Sequence, residues 1–378
     1  MAFKCDEVEG NLFIGGDRVW DLTAFNAPVR IGGSLRVEES RIEDLDAFAP
    51  LRYVGGSVSL YFNQFLEDAA GLANIDSLGG GLTVYGHIRL QALPPLQNIE
   101  VIPGNILVYG NYEVESLSGL QNVAEVGGSL SINGNRSLTS LDVLGSLSRV
   151  GGLLSLSSNN ELLSLEGFER LSSVGGSIRI FNNAALSHLD ALDSLTTVGG
   201  ALRIDANSSL ERIGGLRALT FVGGDLVVEM NPMLRACACG LGGILTVGQV
   251  NGTAVVRDNA LDGTCESVKA IIEAYEAGGA CDIDTALDEI PESAGLGLSA
   301  FPNPATEAAT LRFAVAEQAE ATLVVYDALG REVARPVEGA ATGVVETSLA
   351  TADLPAGLYV ARLVVGGRVE TVRLSVVR

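Results

Sequence analysis

Tyrosines recur 24 residues apart at Tyr61, Tyr85 and Tyr109, and Phe181 falls in the same register. Aromatic rings held side by side bind sugar rings or the apolar surfaces of protein partners. Aromatic neighbours on adjacent strands can instead serve only to stabilise a sheet. The spacing therefore predicts a stripe of rings that is either a binding surface or a structural one, and these four residues are the candidate ligand-binding residues.

Two carboxylates, Asp205 and Glu229, share this 24-residue register. Two acids suffice to cleave a glycosidic bond, so the pair is compatible with a polysaccharide-active enzyme. We favour a solvated acidic face, because no catalytic constellation recurs along the chain. The sequence lacks nucleophile-elbow, phosphate-loop and zinc-protease motifs, and His87 and His188 lack metal-ligand spacing. We therefore expect no enzyme activity, no cofactor and no metal site.

A strict repeat positions these residues. The second glycine of a Gly-Gly or Pro-Gly pair recurs every 24 residues, at Gly56, Gly80, Gly104, Gly128, Gly152, Gly176, Gly200 and Gly224. Gly33 precedes this run by 23 residues, and Gly16 is our candidate for an atypical first coil. Aliphatic residues follow each glycine at two and four residues, which is typical of a short strand with one buried face. We expect the glycine pairs to permit a tight turn into each strand.

A polar column accompanies the aliphatic ones, seven residues after each glycine. It holds His87 and, at the other positions, Asn63, Asn111, Asn135, Asn159, Asn183, Asn207 and Asn231. Stacked coils bury a continuous aliphatic core that one coil cannot bury alone. The stacked asparagines would then pair backbone groups inside each turn. The pattern predicts a mainly β protein, a parallel β-solenoid.

The repeat V-G-G-S-L-x-I-x-x-N-x-x-L-x-x-L, over about residues 10–236, resembles leucine-rich repeats. It is closest to the receptor L-domain type, which occurs in growth-factor receptor ectodomains, fungal wall proteins and secreted bacterial proteins. The resemblance implies a solenoid of 24-residue leucine-rich repeats. It says little about function, because such solenoids bind many unrelated molecules.

The period fails after Asn231, and residues 231–283 predict a C-terminal cap over the open end of the core. The cap contains Cys237, Cys239, Cys265 and Cys281, and residues 265–277 predict a helix. We expect two disulfides among the four cysteines, with the connectivity left open. Zinc is the alternative, although structural zinc sites favour closer cysteine pairs. Cys5 remains without an assigned partner.

Residues 284–298 read as an acidic linker, and residues 299–378 as a separate small antiparallel β-sandwich. The second region contains FPNP, YDALGREV, LPAGLY and a basic last residue, in that order. It resembles the type A sorting domain of the type IX secretion system of Bacteroidota. The resemblance implies that residues 299–378 engage the type IX machinery and that the protein is extracellular or on the outer cell surface. No N-terminal signal peptide is visible in residues 1–16.

The remaining boundaries are an N-terminal cap over residues 1–33 and the solenoid over residues 34–230. A net charge of −22 argues against nucleic acid as a partner, and no apolar run is long enough to predict a transmembrane segment. We therefore predict a secreted recognition or adhesion protein that binds a glycan, matrix or protein partner through its outward strand face. A passive structural spacer is the first alternative, and a polysaccharide-active enzyme is the second.

Overall fold

The computed structural model describes residues 6–22, 28–260, 263–277, 298–301, 305–306, 308–327, 331–352, 354–365 and 368–377. Two compact units divide the chain, Met1–Cys281 and Asp282–Arg378. Several predicted features lie outside the described residues. They are residues 284–297 of the predicted linker, Cys5, Cys281 and residues 302–304 of the FPNP motif.

The first unit is the predicted parallel β-solenoid. Within the described residues its main sheet has eleven strands, each paired in parallel with the next along the chain. They are Leu12–Gly15, Leu35–Glu38, Val58–Tyr61, Leu82–Tyr85, Ile106–Tyr109, Leu130–Asn133, Leu154–Ser157, Ile178–Phe181, Leu202–Asp205, Leu226–Glu229 and Ala254–Arg257.

Strand pairing follows the sequence period. Leu82 lies opposite Ile106, and Ile106 lies opposite Leu130, so every repeat contributes the same position to the sheet. The residues two and four positions after each glycine point inward and are fully or almost fully buried, as the alternation predicts. The predicted mainly β solenoid is confirmed.

Two narrow sheets of two-residue strands run along the coils beside the main sheet. The first joins Glu7–Val8, Arg30–Ile31, Tyr53–Val54 and Ser77–Leu78. The second joins Val101–Ile102, Glu125–Val126, Arg149–Val150, Ser173–Val174, Thr197–Val198, Phe221–Val222 and Gln249–Val250. Single 3₁₀ turns complete several coils, at Asp46–Phe48, Ala70–Leu72, Asp142–Leu144, Asp190–Leu192 and Gly214–Ala218.

The glycine pairs are needed for close approach between coils, and not for an unusual backbone conformation. A Cβ added to Gly55 would lie under 3 Å from the backbone of Gly32, and one added to Gly151 would meet Gly127 in the same way. Neither Gly55 nor Gly151 has a positive φ. The glycine pairs lie at the bend before each main strand, as expected, and the stacking of one backbone on another, rather than a left-handed backbone, is the physical reason for them.

The left-handed backbone occurs six residues after each glycine, where the chain leaves the main strand. Glycine fills this position in four coils, but in the others a side chain is held at φ between 48° and 58°. The occupants are Gly16, Glu39, Phe62, Gly86, Gly110, Gly134, Ser158, Asn182, Ala206, Met230 and Asp258. Non-glycine residues adopt this conformation at a free-energy cost of about 1–2 kcal/mol.

The solenoid extends further at both ends than the period indicates. At the N-terminus, Gly10 occupies the repeat position, because Gly33 donates its N–H to Gly10 and Leu12 lies opposite Leu35. Gly16 is therefore not the marker of the first coil. At the C-terminus, Ala254–Arg257 pairs with Leu226–Glu229, so the predicted cap contains one more coil, with a spacing of 28 residues between partners.

Two α-helices lie in the described residues of the cap. Ala238–Thr246 supplies the extra length of the last coil, and the sequence analysis missed it. Val268–Glu276 lies within the predicted helix at 265–277, and its first turn is capped by Ser267 Oγ, which accepts from the Ala270 N–H at 3.2 Å.

A disulfide joins Cys237 to Cys265. This bridge assigns one of the predicted pairs and argues against a zinc site that uses these two thiols. It leaves Cys239 and Cys281 as the pair for a second bridge, which stays a prediction because Cys281 lies outside the described residues.

The second unit is an antiparallel sheet around its own apolar core. Its strands are Ser299–Phe301, Ala308–Asp327, Glu332–Ala350, Gly357–Val365 and Arg368–Val376. The two long strands shift register between Val315 and Ala319, and side chains from both sides of this shift enter one core, including Phe313 and Leu323. The predicted turns at 328–330 and 366–367 lie outside the described residues.

Candidate recognition face

The outward side chains of the main sheet form a continuous surface, which we call the outer face. Strand alternation directs the residues three and five positions after each glycine to this face. The column at five positions consists of Glu38, Tyr61, Tyr85, Tyr109, Asn133, Ser157, Phe181, Asp205, Glu229 and Arg257. Aromatic, polar and charged residues therefore occupy successive stretches of one surface.

Three of the four predicted aromatic residues lie together. The ring centroids of Tyr61 and Tyr85 are 6.1 Å apart, those of Tyr85 and Tyr109 are 4.9 Å apart, and both pairs pack edge to face. Phe62 adds a fourth ring, 4.6 Å from Tyr85. We call Tyr61, Phe62, Tyr85 and Tyr109 the aromatic cluster.

The aromatic cluster is open to solvent. Tyr109 is 43% exposed and Phe62 is 41% exposed, whereas the aliphatic core beneath is closed. Phe62 was missed because its place in the left-handed column, and not the strand alternation, turns it towards Tyr85. The aromatic residue directly after Tyr61 is the signal that was available.

Phe181 does not join the aromatic cluster. It lies three strands beyond Tyr109, which corresponds to about 14 Å at the usual strand spacing of ~4.8 Å. The guanidinium of Arg179 lies over its ring at 4.7 Å. The structure therefore places the four predicted aromatic residues at two separate points of the outer face.

Arginines lie over several aromatic side chains of the solenoid. Arg36 lies over Tyr61 at 4.7 Å, and Arg136 lies over Tyr112 at 5.2 Å. Phe65 has two such neighbours, Arg41 at 5.9 Å and Arg89 at 5.5 Å. Cation–π contacts of this kind hold rings in place, and Arg36 does so for one member of the aromatic cluster, Tyr61.

Between the aromatic cluster and Phe181 the outer face is polar and uncharged. Asn133 Oδ1 accepts from Ser157 Oγ at 2.7 Å and from Ser155 Oγ at 3.1 Å. This small network fixes the amide of Asn133 and leaves hydroxyl oxygens available as acceptors.

The expectation of a solvated acidic face is wrong for Asp205 and Glu229, which are only 5% and 7% exposed. Glu229 is neutralised by two arginines. Its Oε2 accepts from Arg257 at 2.8 and 2.9 Å, and its Oε1 lies 3.4 Å from Arg203. A buried carboxylate is tolerated when it is paired in this way.

Asp205 is paired less completely. Its Oδ1 has no hydrogen-bond partner among the described residues. Burial raises the pKa of Asp205, and the charges of Arg203 and Arg179 offset only part of this effect. A buried acceptor left without a donor costs about 1–3 kcal/mol of folding free energy. The rest of the outer face thus keeps the Asp205 carboxylate buried although one of its oxygens lacks a hydrogen-bond donor.

The asparagine column lies inside the core, directly behind the main strands. Every predicted member is fully buried, and so is His87. Each amide Nδ2 donates to a strand carbonyl of the preceding coil, as Asn135 does to Val108 at 3.0 Å. Each Oδ1 accepts from the backbone N–H of the preceding column residue, as Asn159 does from Asn135 at 3.0 Å. We call this column the asparagine ladder.

The ladder is longer than the sequence analysis found. Ser40 begins it by donating its Oγ to Asn63 Oδ1 at 2.7 Å, and Asn259 ends it by accepting from the Asn231 N–H at 3.2 Å. Asn259 follows Gly252 by seven residues, so the rule that located the others would have found it.

A second polar ladder, which the sequence analysis missed, lies beside the glycine pairs. Ser129 Oγ accepts from the Leu153 N–H at 3.0 Å, and Ser57 Oγ accepts from the Gly81 N–H at 2.9 Å. The Ser, Asn or Asp that directly follows many of the repeat glycines was the available signal. Both ladders serve the fold, because they pair buried or crowded backbone donors between coils.

His188 forms an isolated parallel bridge with Arg212 of the next coil and lies beside Asp190. Its Nδ1 is 3.1 Å from Asp190 Oδ2, and Arg212 reaches the same oxygen at 2.8 Å. Burial acts to raise the pKa of Asp190, but the hydrogen bonds and charges of His188 and Arg212 outweigh it and hold that pKa at about 2. The arrangement is an ion cluster that links neighbouring coils.

No group of three or more His, Cys, Asp or Glu side chains that could hold a metal ion occurs in the part of the chain that the structure describes. Among the same residues, no helix combines the length and apolar character needed to cross a membrane.

A known protein family matches part of the second unit. No curated protein matches the chain. Residues 299–377 match the family described as the secretion system C-terminal sorting domain. The solenoid matches no leucine-rich-repeat or receptor L-domain family. The antiparallel C-terminal unit is therefore a sorting domain of the type IX secretion system, and it marks the chain as a protein exported to the cell surface or the extracellular space.

Proposed function

We propose that the solenoid is a recognition domain of the leucine-rich-repeat, receptor L-domain type and that its outer face binds an extracellular glycan. The sorting domain delivers it to the cell surface by engaging the type IX machinery. In this proposal the protein is a binding protein and not an enzyme, and it needs no cofactor.

The aromatic cluster is the observation that carries this proposal. A group of four rings, two of them exposed and two half-buried, is unusual on the surface of a protein whose aromatic content is 5% and whose core is aliphatic. Edge-to-face packing holds the tyrosines in position, and their rings leave apolar surface open to a ligand. Tyrosines also provide hydroxyl groups that hydrogen-bond to polar ligands, which suits sugar rings with one apolar and several polar sides.

The test is binding of the full chain to a glycan array and to soluble polysaccharides. The variant with Tyr61, Tyr85 and Tyr109 all changed to Ala should lose binding and keep its fold, because these side chains contribute little to the core. Tyr53→Ala is the matched control, since Tyr53 lies on a narrow sheet under Arg30 and away from the outer face.

Two results would contradict the proposal. Unchanged glycan binding by the triple variant would place the binding site elsewhere. If the unaltered chain binds no glycan and the triple variant has a much lower melting temperature, a structural spacer is favoured. Release of reducing ends from any polysaccharide in the same samples would favour the enzyme.

A further inference from the structure

Asp205 lies on the outer face four strands beyond Tyr109, and one of its carboxylate oxygens is buried without a donor. Its side chain is only 5% exposed, and its Oδ1 has no hydrogen-bond partner among the described residues. Its neighbour in the sheet, Glu229, is equally buried but accepts from two arginines. The face therefore presents one fully paired acid next to one that still requires a donor.

The charges around Asp205 indicate what kind of donor fits. Three arginines, Arg179, Arg203 and Arg257, stand on this stretch of the sheet with three acids, Asp205, Glu229 and Asp258. Opposite charges therefore balance locally, although the whole chain carries −22. A cation would gain little from such a balanced field, and the described residues offer no set of three ligands for a metal. A neutral hydroxyl group can satisfy the orphaned oxygen without adding charge.

The side chains beside Asp205 can provide the other contacts that a sugar needs. Phe181 lies directly opposite Asp205 on the adjacent strand and supplies an apolar wall. The side chain of Arg203 is 46% exposed and reaches Glu229 at only 3.4 Å, so it can turn outward and donate to a ligand oxygen. Because Asp205 Oδ1 is buried, a ligand reaches it only after a side-chain rotation of this kind.

We infer that Asp205, Arg203 and Phe181 form a second subsite on the outer face, which takes a neutral sugar ring by accepting a hydroxyl hydrogen at Asp205 Oδ1. This inference rests on the proposed glycan-binding function and specifies the ligand. Four strand spacings separate Asp205 from Tyr109, about 19 Å at ~4.8 Å each. A ligand that occupies both the aromatic cluster and this subsite is therefore a neutral oligosaccharide of several residues and not a single sugar.

The test measures binding of the full chain to defined oligosaccharides by calorimetry. The probes are the disaccharides and hexasaccharides of cellulose, laminarin, xylan and mannan, with hexagalacturonate as an anionic probe. Asp205→Leu removes the acceptor at similar size, and Asp205→Ala, which also lacks an acceptor, is a second variant if the first does not fold. Asp193→Leu is the control, since Asp193 lies in a turn away from the outer face and pairs with Arg217 at 3.6 Å.

The expected result is at least a tenfold loss of affinity for a neutral hexasaccharide in the Asp205 variant, with disaccharide affinity and the control unchanged. The melting temperature without ligand should hold or rise, because the variant removes a buried acceptor that has no donor. A structural role would instead lower the melting temperature.

Three results would overturn the inference. They are unchanged hexasaccharide affinity in a folded Asp205 variant, tighter binding of hexagalacturonate than of any neutral probe, and a lower melting temperature with unchanged affinity. If the variant with Tyr61, Tyr85 and Tyr109 changed to Ala loses binding and the Asp205 variant does not, only this inference is overturned. If the unaltered chain binds none of the probes, the proposed function is overturned as well.

Discussion

The amide oxygen of Asn135 accepts a hydrogen bond from the backbone N–H of Asn111, one coil earlier, at 3.1 Å. The same oxygen also accepts from the side-chain amide of Asn111 at 3.1 Å. Both residues are fully buried, so water does not compete for these groups. One side chain therefore satisfies the backbone of its neighbour, and each coil depends on the next for its internal hydrogen bonds.

Asn135→Ala should lower the free energy of unfolding by about 2–4 kcal/mol. It leaves the Asn111 N–H and the Val108 carbonyl buried without their partners, at about 1–3 kcal/mol for each group. Chemical denaturation measures the change. Asn160→Ala, at an exposed position of the adjacent coil, should stay within about 0.5 kcal/mol of the unaltered protein. Equal effects of the two substitutions would contradict a structural ladder.

His87→Asn should stabilise the solenoid and remove a pH dependence. The ring nitrogens of His87 face two carbonyl oxygens, those of Asn63 at 3.1 Å and Leu60 at 3.3 Å, but a neutral imidazole has only one N–H. Burial lowers the pKa of His87 below 6.5, and the two carbonyls only partly oppose this. The unfolded chain then binds the proton more readily, so stability should fall as the pH drops through 6.5.

Melting temperatures between pH 5 and pH 8 check this prediction. The loss of stability towards acid should be smaller in His87→Asn than in the unaltered protein. The converse variant, Asn135→His, should gain such a loss at another position of the ladder. Identical pH profiles of the unaltered protein and His87→Asn would show that the stated proton linkage is wrong.

Substitutions in the left-handed column should have opposite effects at two of its positions. Gly110 has φ +64°, and an added Cβ would meet only Tyr85 at 3.8 Å, so Gly110→Ala should destabilise by about 1 kcal/mol through the backbone alone. Ala206 has φ 57°, so Ala206→Gly should stabilise by up to about 1 kcal/mol, since relief of strain exceeds the added chain entropy. Chemical denaturation of the two variants measures both changes. A change of the same sign in the free energy of unfolding of both variants would refute the prediction.

Loss of the Cys237–Cys265 bridge should destabilise the cap. The bridge spans 28 residues, for which the chain-entropy relation gives about 3–4 kcal/mol. The variant with both residues changed to Ala should therefore denature at lower urea concentration, and Cys5→Ser, outside the cap, serves as the control. Peptide mapping without reduction should also find Cys239 joined to Cys281. A free thiol at both of those residues would contradict the second predicted bridge.

Deletion of residues 299–378 should trap the protein in the periplasm of a bacterium that has type IX secretion. Residues 299–377 match the sorting-domain family, so the deletion removes the part of the chain that the type IX machinery would recognise. Fractionation and immunoblotting measure the effect. Fusion of residues 299–378 to an unrelated periplasmic protein is the complementary experiment and should send that protein to the surface. Equal secretion of the truncated and full chains would refute the assignment.

The 24-residue period predicted the coils, because a given repeat position has the same surroundings in every coil and therefore accepts the same class of residue. It failed where the chain departs from identical coils. Gly10 was overlooked because Glu9 stands where other coils have a first glycine. The helix at Ala238–Thr246 was overlooked because three of its nine residues are glycines, which disfavour helices in isolation.

The sequence predicted which residues lie on the outer face better than it predicted their burial and ion pairing. Alternation placed Asp205 and Glu229 on an outward column, and outward residues are usually solvated. Their burial depends on long side chains such as Arg203 and Arg257, which lie beside them on neighbouring columns and strands. Such contacts depend on rotamers, and a column pattern carries no information about them.

Each coil offers its neighbours the same strand edge, the same glycine contact and the same ladders. Adjoining coils are therefore interchangeable at their junctions, and an in-frame gain or loss of one repeat in the gene would leave every junction matched. Such an event between the aromatic cluster and Asp205 would move these two points apart or together by one strand spacing, about 4.8 Å. The length of ligand that fits the solenoid can therefore evolve in steps of one strand spacing, while the side chains that contact the ligand stay the same.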